Sequence, residues 1–177
     1  FIISTGGTYD REIQKTVEIM KKNSLKFSLL HCISIYPTTI EVANLNRINF
    51  LKNFTNDVGI SDHSNPEIYK YKIIAGSLLL GAEIVEKHFT ILAKDKTKDG
   101  VVSANPDQLK DISKLCKLNK SDIADYVKEN VPEIEEMKGN FTRELSDDEL
   151  INRDYYQGRF ASKINGKIIF NWDETEI

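Results

Sequence analysis

Short apolar runs alternate with helix-length amphipathic stretches along most of this chain, and the spacing of their ends is the strongest constraint on its fold. Ser4, Ser34, Ser61 and His88 each stand at the end of such a run, separated by 30, 27 and 27 residues. The runs ending near Thr5, at Phe27 to Ile33, at Val58-Gly59-Ile60 and at Ala82 to Phe89 read as strands. Between them, a helix from about Asp10 places Ile13, Val17 and Met20 on one face, and another from Ile40 to Phe54 carries Val42, Leu45, Ile48 and Leu51. Pro66 opens a third helix, through Ile73, Ile74 and Leu78 to Leu80, and Gly81 stops it. After Asn105-Pro106-Asp107 a further helix is expected to turn Leu109, Ile112, Leu115 and Cys116 inward. Connections of this length require parallel neighbours joined by right-handed crossovers, so the class is α/β. Units of this size build a (β/α)8 barrel, whose active site lies at the strand C-termini. An open doubly wound sheet has the same period, but no Gly-x-Gly-x-x-Gly or Gly-x-x-x-x-Gly-Lys-Ser/Thr is present to support it, so the barrel is favoured.

Composition narrows the partners. A chain of 177 residues, 40% hydrophobic and 29% charged, is large enough for one real core. Its net charge of -3 comes from mixed acids and bases without a basic stripe, which argues against nucleic acid. No stretch approaches the roughly 20 apolar residues of a membrane span, and Phe1-Ile2-Ile3-Ser4 lacks the basic flank of a signal peptide, so a cytoplasmic location is expected. Cys32 and Cys116 lack metal-type spacing and are expected to be buried, reduced thiols. The chain opens inside an apolar run with no initiating Met, as an N-terminally truncated fragment would.

Strand parity sorts the polar residues, because side chains two apart share a face. Ser61 pairs with His63, Glu86 with His88, Ile2 with Ser4, and Cys32 with Ser34 and Tyr36. Each strand therefore turns a hydroxyl or an ionisable group towards the face assigned to the lumen, where a hydrocarbon core would not tolerate it unless something polar occupied the mouth. His63 and His88 are two of three histidines and reach the same rim. The third, His31, has parity opposite to Ser34 and reads as structural.

Ser4-Thr5-Gly6, Leu30-His31-Cys32 with Tyr36-Pro37-Thr38, Gly59-Ile60-Ser61-Asp62-His63 and Glu86-Lys87-His88-Phe89-Thr90, in that order, resemble the second half of the sialic acid synthase (N-acetylneuraminate synthase) family. The likeness spans about residues 1 to 117 and continues through Asp99, Ser103 and Pro106-Asp107. It implies the C-terminal half of a (β/α)8 (TIM) barrel that condenses phosphoenolpyruvate with an N-acylated amino sugar such as N-acetylmannosamine, using Mn2+ or Mg2+. By the same resemblance His63 and His88 ligate the cation, while Ser4, Ser34 and Ser61 contact phosphoenolpyruvate. Tyr36, Glu86 and Asp99 line the sugar site, with Glu86 and Asp99 in the catalytic roles. A homo-oligomer is expected of the full-length protein. The phosphate-gripping lysines and the acid/base carboxylate of the family belong to earlier strands, so this fragment alone is expected to be inactive. Gly7 replaces a usual Met and Gly100 a frequent His, which points to an altered loop over the sugar. The alternatives are another phosphoenolpyruvate-using or metal-dependent aldolase barrel, or a non-catalytic barrel fragment.

Beyond Lys117 the chain turns acidic, and residues 118–152 read as a solvated, partly helical linker. In 153–177, Asn165-Gly166 between apolar residues signals a hairpin. A C-terminal antifreeze-like domain, common in the family, is not recognisable here, and Arg159 and Phe160 read as packing residues.

Overall fold

The computed structural model describes residues 1–156 and 161–170. Four parallel strands, β1 (Ile2–Ser4), β2 (Ser28–Cys32), β3 (Val58–Asp62) and β4 (Ile84–Lys87), lie side by side in chain order. Their connections carry α1 (Asp10–Lys22), α2 (Arg47–Leu51) and α3 (Lys72–Leu79), and α4 (Pro106–Leu115) follows β4. Sequential parallel strands with helical crossovers are the arrangement expected from the spacing of the strand ends. Then come α5 (Lys120–Asn130), α6 (Ile134–Lys138), α7 (Asp147–Tyr156) and an antiparallel pair, β5 (Ala161–Ile164) and β6 (Lys167–Phe170). Arg159 and Phe160 lie outside the described residues.

The core lies between the sheet and its helices. Leu29 and Val58 pack with Ile13, Val17, Ile48 and Leu51 of α1 and α2. Ile60 packs with Ile73 and Ile74 of α3, Ile112 and Leu115 of α4, and Ile123, Val127 and Met137. The segment expected to be a solvated linker thus contributes apolar side chains to the main core, since the periodic Ile123 and Val127 of α5 face α3 despite the surrounding charges. The acidic run divides in the same way: Asp147 and Asp148 are exposed, whereas Glu149 is buried against Arg143.

Two helices are shorter than their apolar patterns suggest. Residues 40–46 form turns because the N–H groups of Leu45 and Asn46 donate to the carbonyls of Met137 and Lys138, both at 2.8 Å. Asn44 adopts a left-handed φ of 46°, which an uninterrupted helix excludes. Pro66 begins a turn rather than a helix: the Asn65 side chain accepts the Glu67 N–H, Lys70 has φ 50°, and α3 starts at Lys72. Gly81, at φ 86°, ends α3 as expected. On α4 only Ile112 and Leu115 are buried; Leu109 and Cys116 are exposed, because the helix presents a narrow stripe to the core. Both cysteines are free, Cys32 buried and Cys116 not.

His31 is buried and structural, its Nε2 2.7 Å from the Ala43 carbonyl, to which it donates. Burial depresses its pKa to about 4, against a smaller raising effect of that hydrogen bond. The unfolded chain, with an ordinary imidazole near 6.5, therefore binds the proton more readily than the folded one. Stability from neutral His31 is complete above about pH 6.5 and is lost as the pH falls towards 4, by about 2 kcal/mol at pH 5. Urea denaturation of wild type and His31→Gln at pH 7.5 and 5 is expected to show a smaller pH-dependent loss in the variant. Equal losses would assign the acid sensitivity to other groups.

Candidate functional site

His63 and His88 each stand one residue beyond a strand, after Asp62 at the end of β3 and Lys87 at the end of β4. Since Asp62 is the register partner of Lys87, the two imidazoles emerge side by side with ring centres 5.2 Å apart. Hydrogen bonds beyond the strands fix both backbones. The His63 carbonyl accepts the Thr38 N–H at 3.0 Å, and the His88 carbonyl accepts the Ala104 N–H at 2.7 Å.

The His63 ring is oriented further by its Nδ1, 3.0 Å from the Ile33 carbonyl, which directs the proton there and leaves Nε2 with its lone pair. Burial pulls the His63 pKa down, and the Ile33 hydrogen bond opposes this less strongly, favouring the neutral ring. Tyr36 stacks on His63 at 4.1 Å and meets His88 edge-on at 5.9 Å. Its phenol pKa is pushed up by burial.

The register continues the site across the sheet. Cys32, Ser61 and Glu86 occupy one row of β2, β3 and β4. Ser61 Oγ donates to Glu86 Oε1 at 2.6 Å and lies 3.5 Å from His63 Nε2. The Cys32 thiol is 3.8 Å from His63 Nδ1 and is contacted by the side chains of Ser4 and Ser34. Burial raises its pKa, outweighing the hydroxyl contacts. From β1 to β4 the rim thus carries Ser4, Ser34, Tyr36, Ser61, His63, Glu86 and His88. Asp99 joins from the loop after β4, its Oδ2 3.9 Å from His88 Nδ1. Ser4 and Ser34 reach His63 through Cys32, whereas Ser61 and Tyr36 contact it directly.

These residues suit a divalent cation held by two imidazoles. An anchored Nδ1 with a presented Nε2 is how metal-ligating histidines are commonly oriented. Among the described residues no group of three or more His, Cys, Asp or Glu is arranged to hold a metal, so His63 and His88 would leave further positions to water and substrate.

Parity alone did not disclose the support behind this rim. Asp62 and Lys87, on the opposite face from the histidines, form a buried ion pair at 2.7 Å. Charged residues at helix-facing positions of two adjacent apolar strands were the available signal. Cys32 was visible as a lumen residue, but its position between the serines and His63 required the register.

A parallel half-barrel sheet with polar groups gathered at its strand C-termini defines an α/β protein built as part of a (β/α)8 barrel. Residues 1–128 match the NeuB family model, and the chain belongs to that family. It is 35% identical over 113 residues to the N,N'-diacetyllegionaminic acid synthase of Campylobacter jejuni, an alignment covering 62% of this chain and 33% of the relative. Its likeness to the pseudaminic acid synthase of the same organism is 30% over 164 residues, covering 92% and 42%. Among solved structures, the N-acetylneuraminic acid (sialic acid) synthetase of Leptospira borgpetersenii, in complex with citrate, superposes with a TM-score of 0.61 at 29% identity, covering 88% of this chain and 48% of that one. The Bacillus subtilis spore coat polysaccharide biosynthesis protein SpsE shares the fold, with a TM-score of 0.70 at 24% identity over 90% and 43% of the two chains. The chain thus spans less than half the length of these relatives. No helix of the described residues is long and apolar enough to cross a membrane.

Proposed function

We propose that this chain is the C-terminal half-barrel of a nonulosonic acid synthase that joins phosphoenolpyruvate to an N-acylated amino sugar and releases phosphate. The observation that carries this reading is the meeting of His63, His88, Tyr36, Ser61 and Glu86 on one strand-end rim of a NeuB-family sheet. Relatives named as legionaminic, pseudaminic and sialic acid synthases support the substrate class. Phe1 and Ile2, just before and at the start of the edge strand β1, are 72% and 64% exposed, a surface that further barrel strands would cover.

In this reading His63 and His88 hold Mn2+ or Mg2+, which when bound polarises the sugar aldehyde as a Lewis acid. The enol carbon C3 of phosphoenolpyruvate forms the new bond to the aldehyde carbon, whose oxygen takes up a proton. C2 becomes electron-poor, water adds there with loss of a proton, and the C–O bond to phosphate then breaks with its electron pair as the new C2 hydroxyl gives up its proton and becomes the carbonyl. Ser4, Ser34 and Ser61 orient the phosphoenolpyruvate by hydrogen bonds. Glu86, already accepting from Ser61 at 2.6 Å, accepts a water or sugar hydroxyl proton, while Asp99 and Tyr36 bound the sugar side. A homo-oligomer and a cytoplasmic setting accompany this reading.

Phosphate release by the full-length protein tests it. With phosphoenolpyruvate, manganese and a panel of sugars with and without N-acyl groups, at least one N-acylated amino sugar is expected to stimulate release more than about tenfold over hydrolysis without sugar, a difference of about 1.4 kcal/mol in barrier. Stimulation only by sugars lacking an N-acyl group would assign another phosphoenolpyruvate-using barrel activity. The absence of stimulation by every sugar would overturn the reading.

A further inference from the structure

Helix α7 holds Ser34 by its backbone. Asn152 Nδ2 donates to the Ser34 carbonyl at 2.5 Å, and the Ser34 N–H faces the Glu149 carboxylate from the other side. Glu149 is itself immobilised: Arg143 donates to both carboxylate oxygens, at 2.5 and 2.7 Å, and the Ser146 N–H adds a third bond at 3.2 Å. Burial would raise the Glu149 pKa, but Arg143 and the N–H groups of Ser146 and Ser34 outweigh it and hold the carboxyl below its ordinary range.

One turn further on, Arg153 donates to the Gly7 carbonyl at 2.6 Å and bridges to Glu12 of α1 at 2.6 and 3.0 Å. Gly6 completes the enclosure, since a Cβ there would lie 2.5 Å from Ser34 Oγ and 2.6 Å from Cys32 Sγ. Lys98, next to Asp99, sits over the Tyr155 ring at 5.8 Å. The helix therefore touches the loops after β1, β2 and β4. A buried carboxylate and guanidinium are a costly means of packing a helix, because apolar residues of similar size often stabilise as well or better. What the charged pair adds is direction, aiming one carboxylate at the Ser34 N–H.

We infer that Glu149 and Asn152 are positioning residues that fix Ser34 for the phosphoenolpyruvate end of the site. This inference rests on the proposed function, and it extends the active-site machinery into residues 147–156. Its effect follows from geometry, since misplacing a substrate-contacting group by about 1 Å costs on the order of 100-fold in rate.

The test uses the full-length protein with Asn152→Ala, Glu149→Gln and the conservative Asn152→Gln. Hydrogen exchange of the peptide containing residues 33–36 reads the anchor without requiring activity. It is expected to accelerate at least tenfold in Asn152→Ala and Glu149→Gln, with partial restoration in Asn152→Gln. Steady-state kinetics are expected to show the KM for phosphoenolpyruvate raised at least tenfold in Asn152→Ala, with the KM for the sugar and the melting temperature close to wild type. If the wild type releases no phosphate with any sugar, the proposed function fails while the exchange measurement still reads the anchor. Unchanged exchange at residues 33–36 in Asn152→Ala, or parallel increases in both KM values with a lowered melting temperature, would overturn the inference. Asn152→Ala preserves the test if Glu149→Gln does not fold.

Discussion

Lys87→Met is expected to destabilise the fold by about 3–5 kcal/mol, the usual consequence of stranding one member of a buried ion pair. The side chains of Lys87 and Asp62 are 2% and 1% exposed, and their charged atoms are 2.7 Å apart. Lys87 Nζ also donates to the Ser64 carbonyl at 2.6 Å, while Asp62 accepts the Ser64 N–H at 3.0 Å and its hydroxyl at 2.9 Å. Burial draws the Lys87 pKa downward and Asp62 opposes that shift, so the ammonium depends on its partner. Removing Lys87 leaves a carboxylate with only the Ser64 donors, whereas Asp62→Asn with Lys87→Met removes both charges. Urea denaturation is therefore expected to show much of the loss recovered in the double variant. A single variant within about 1 kcal/mol of wild type would place little weight on the pair. The consequence extends to the site, because this pair ties β3 to β4 one residue before His63 and His88.

Strand order and class were legible because apolar runs and their spacing survive in one dimension. Ser61, His63, Glu86 and His88 were assignable to one face because alternation is a local property of extended chain. Non-local backbone bonding was not legible. The pattern over residues 40–54 looks uniformly helical, but the N–H groups of Leu45 and Asn46 are taken by the carbonyls of Met137 and Lys138 at the end of α6, about ninety residues away in sequence. Glu149 was hidden for a related reason. Within the run Asp147-Asp148-Glu149 the spacing Ser146-x-x-Glu149 marks the third residue as a helix-start partner of Ser146, but its burial follows from the positions of Arg143 and Ser34. The rim was thus readable from parity, while the groups that hold it in place arrive through packing from distant segments.

His63→Ala and His88→Ala, each made in the full-length protein, are expected to weaken manganese binding more than about 100-fold, beyond the 10- to 100-fold typical of losing a supporting partner of a ligand. In the proposed site the two imidazoles are the protein donors, so loss of either leaves a single protein nitrogen. His63→Ala has a second effect, since it removes the ring on which Tyr36 stacks and towards which Ser61 Oγ lies at 3.5 Å. Its loss of condensation activity should therefore persist at manganese concentrations that partly restore His88→Ala, whose ring is one-third exposed and less enclosed. His31→Gln is the control, because its imidazole is buried on the Ala43 carbonyl and faces the helices. Titration of free Mn2+ by electron paramagnetic resonance separates these outcomes. Wild-type manganese affinity in the His63→Ala, His88→Ala double variant would show that the ion is held elsewhere, and Ser61, Tyr36 and Glu86 would then have to be read as a metal-free substrate surface.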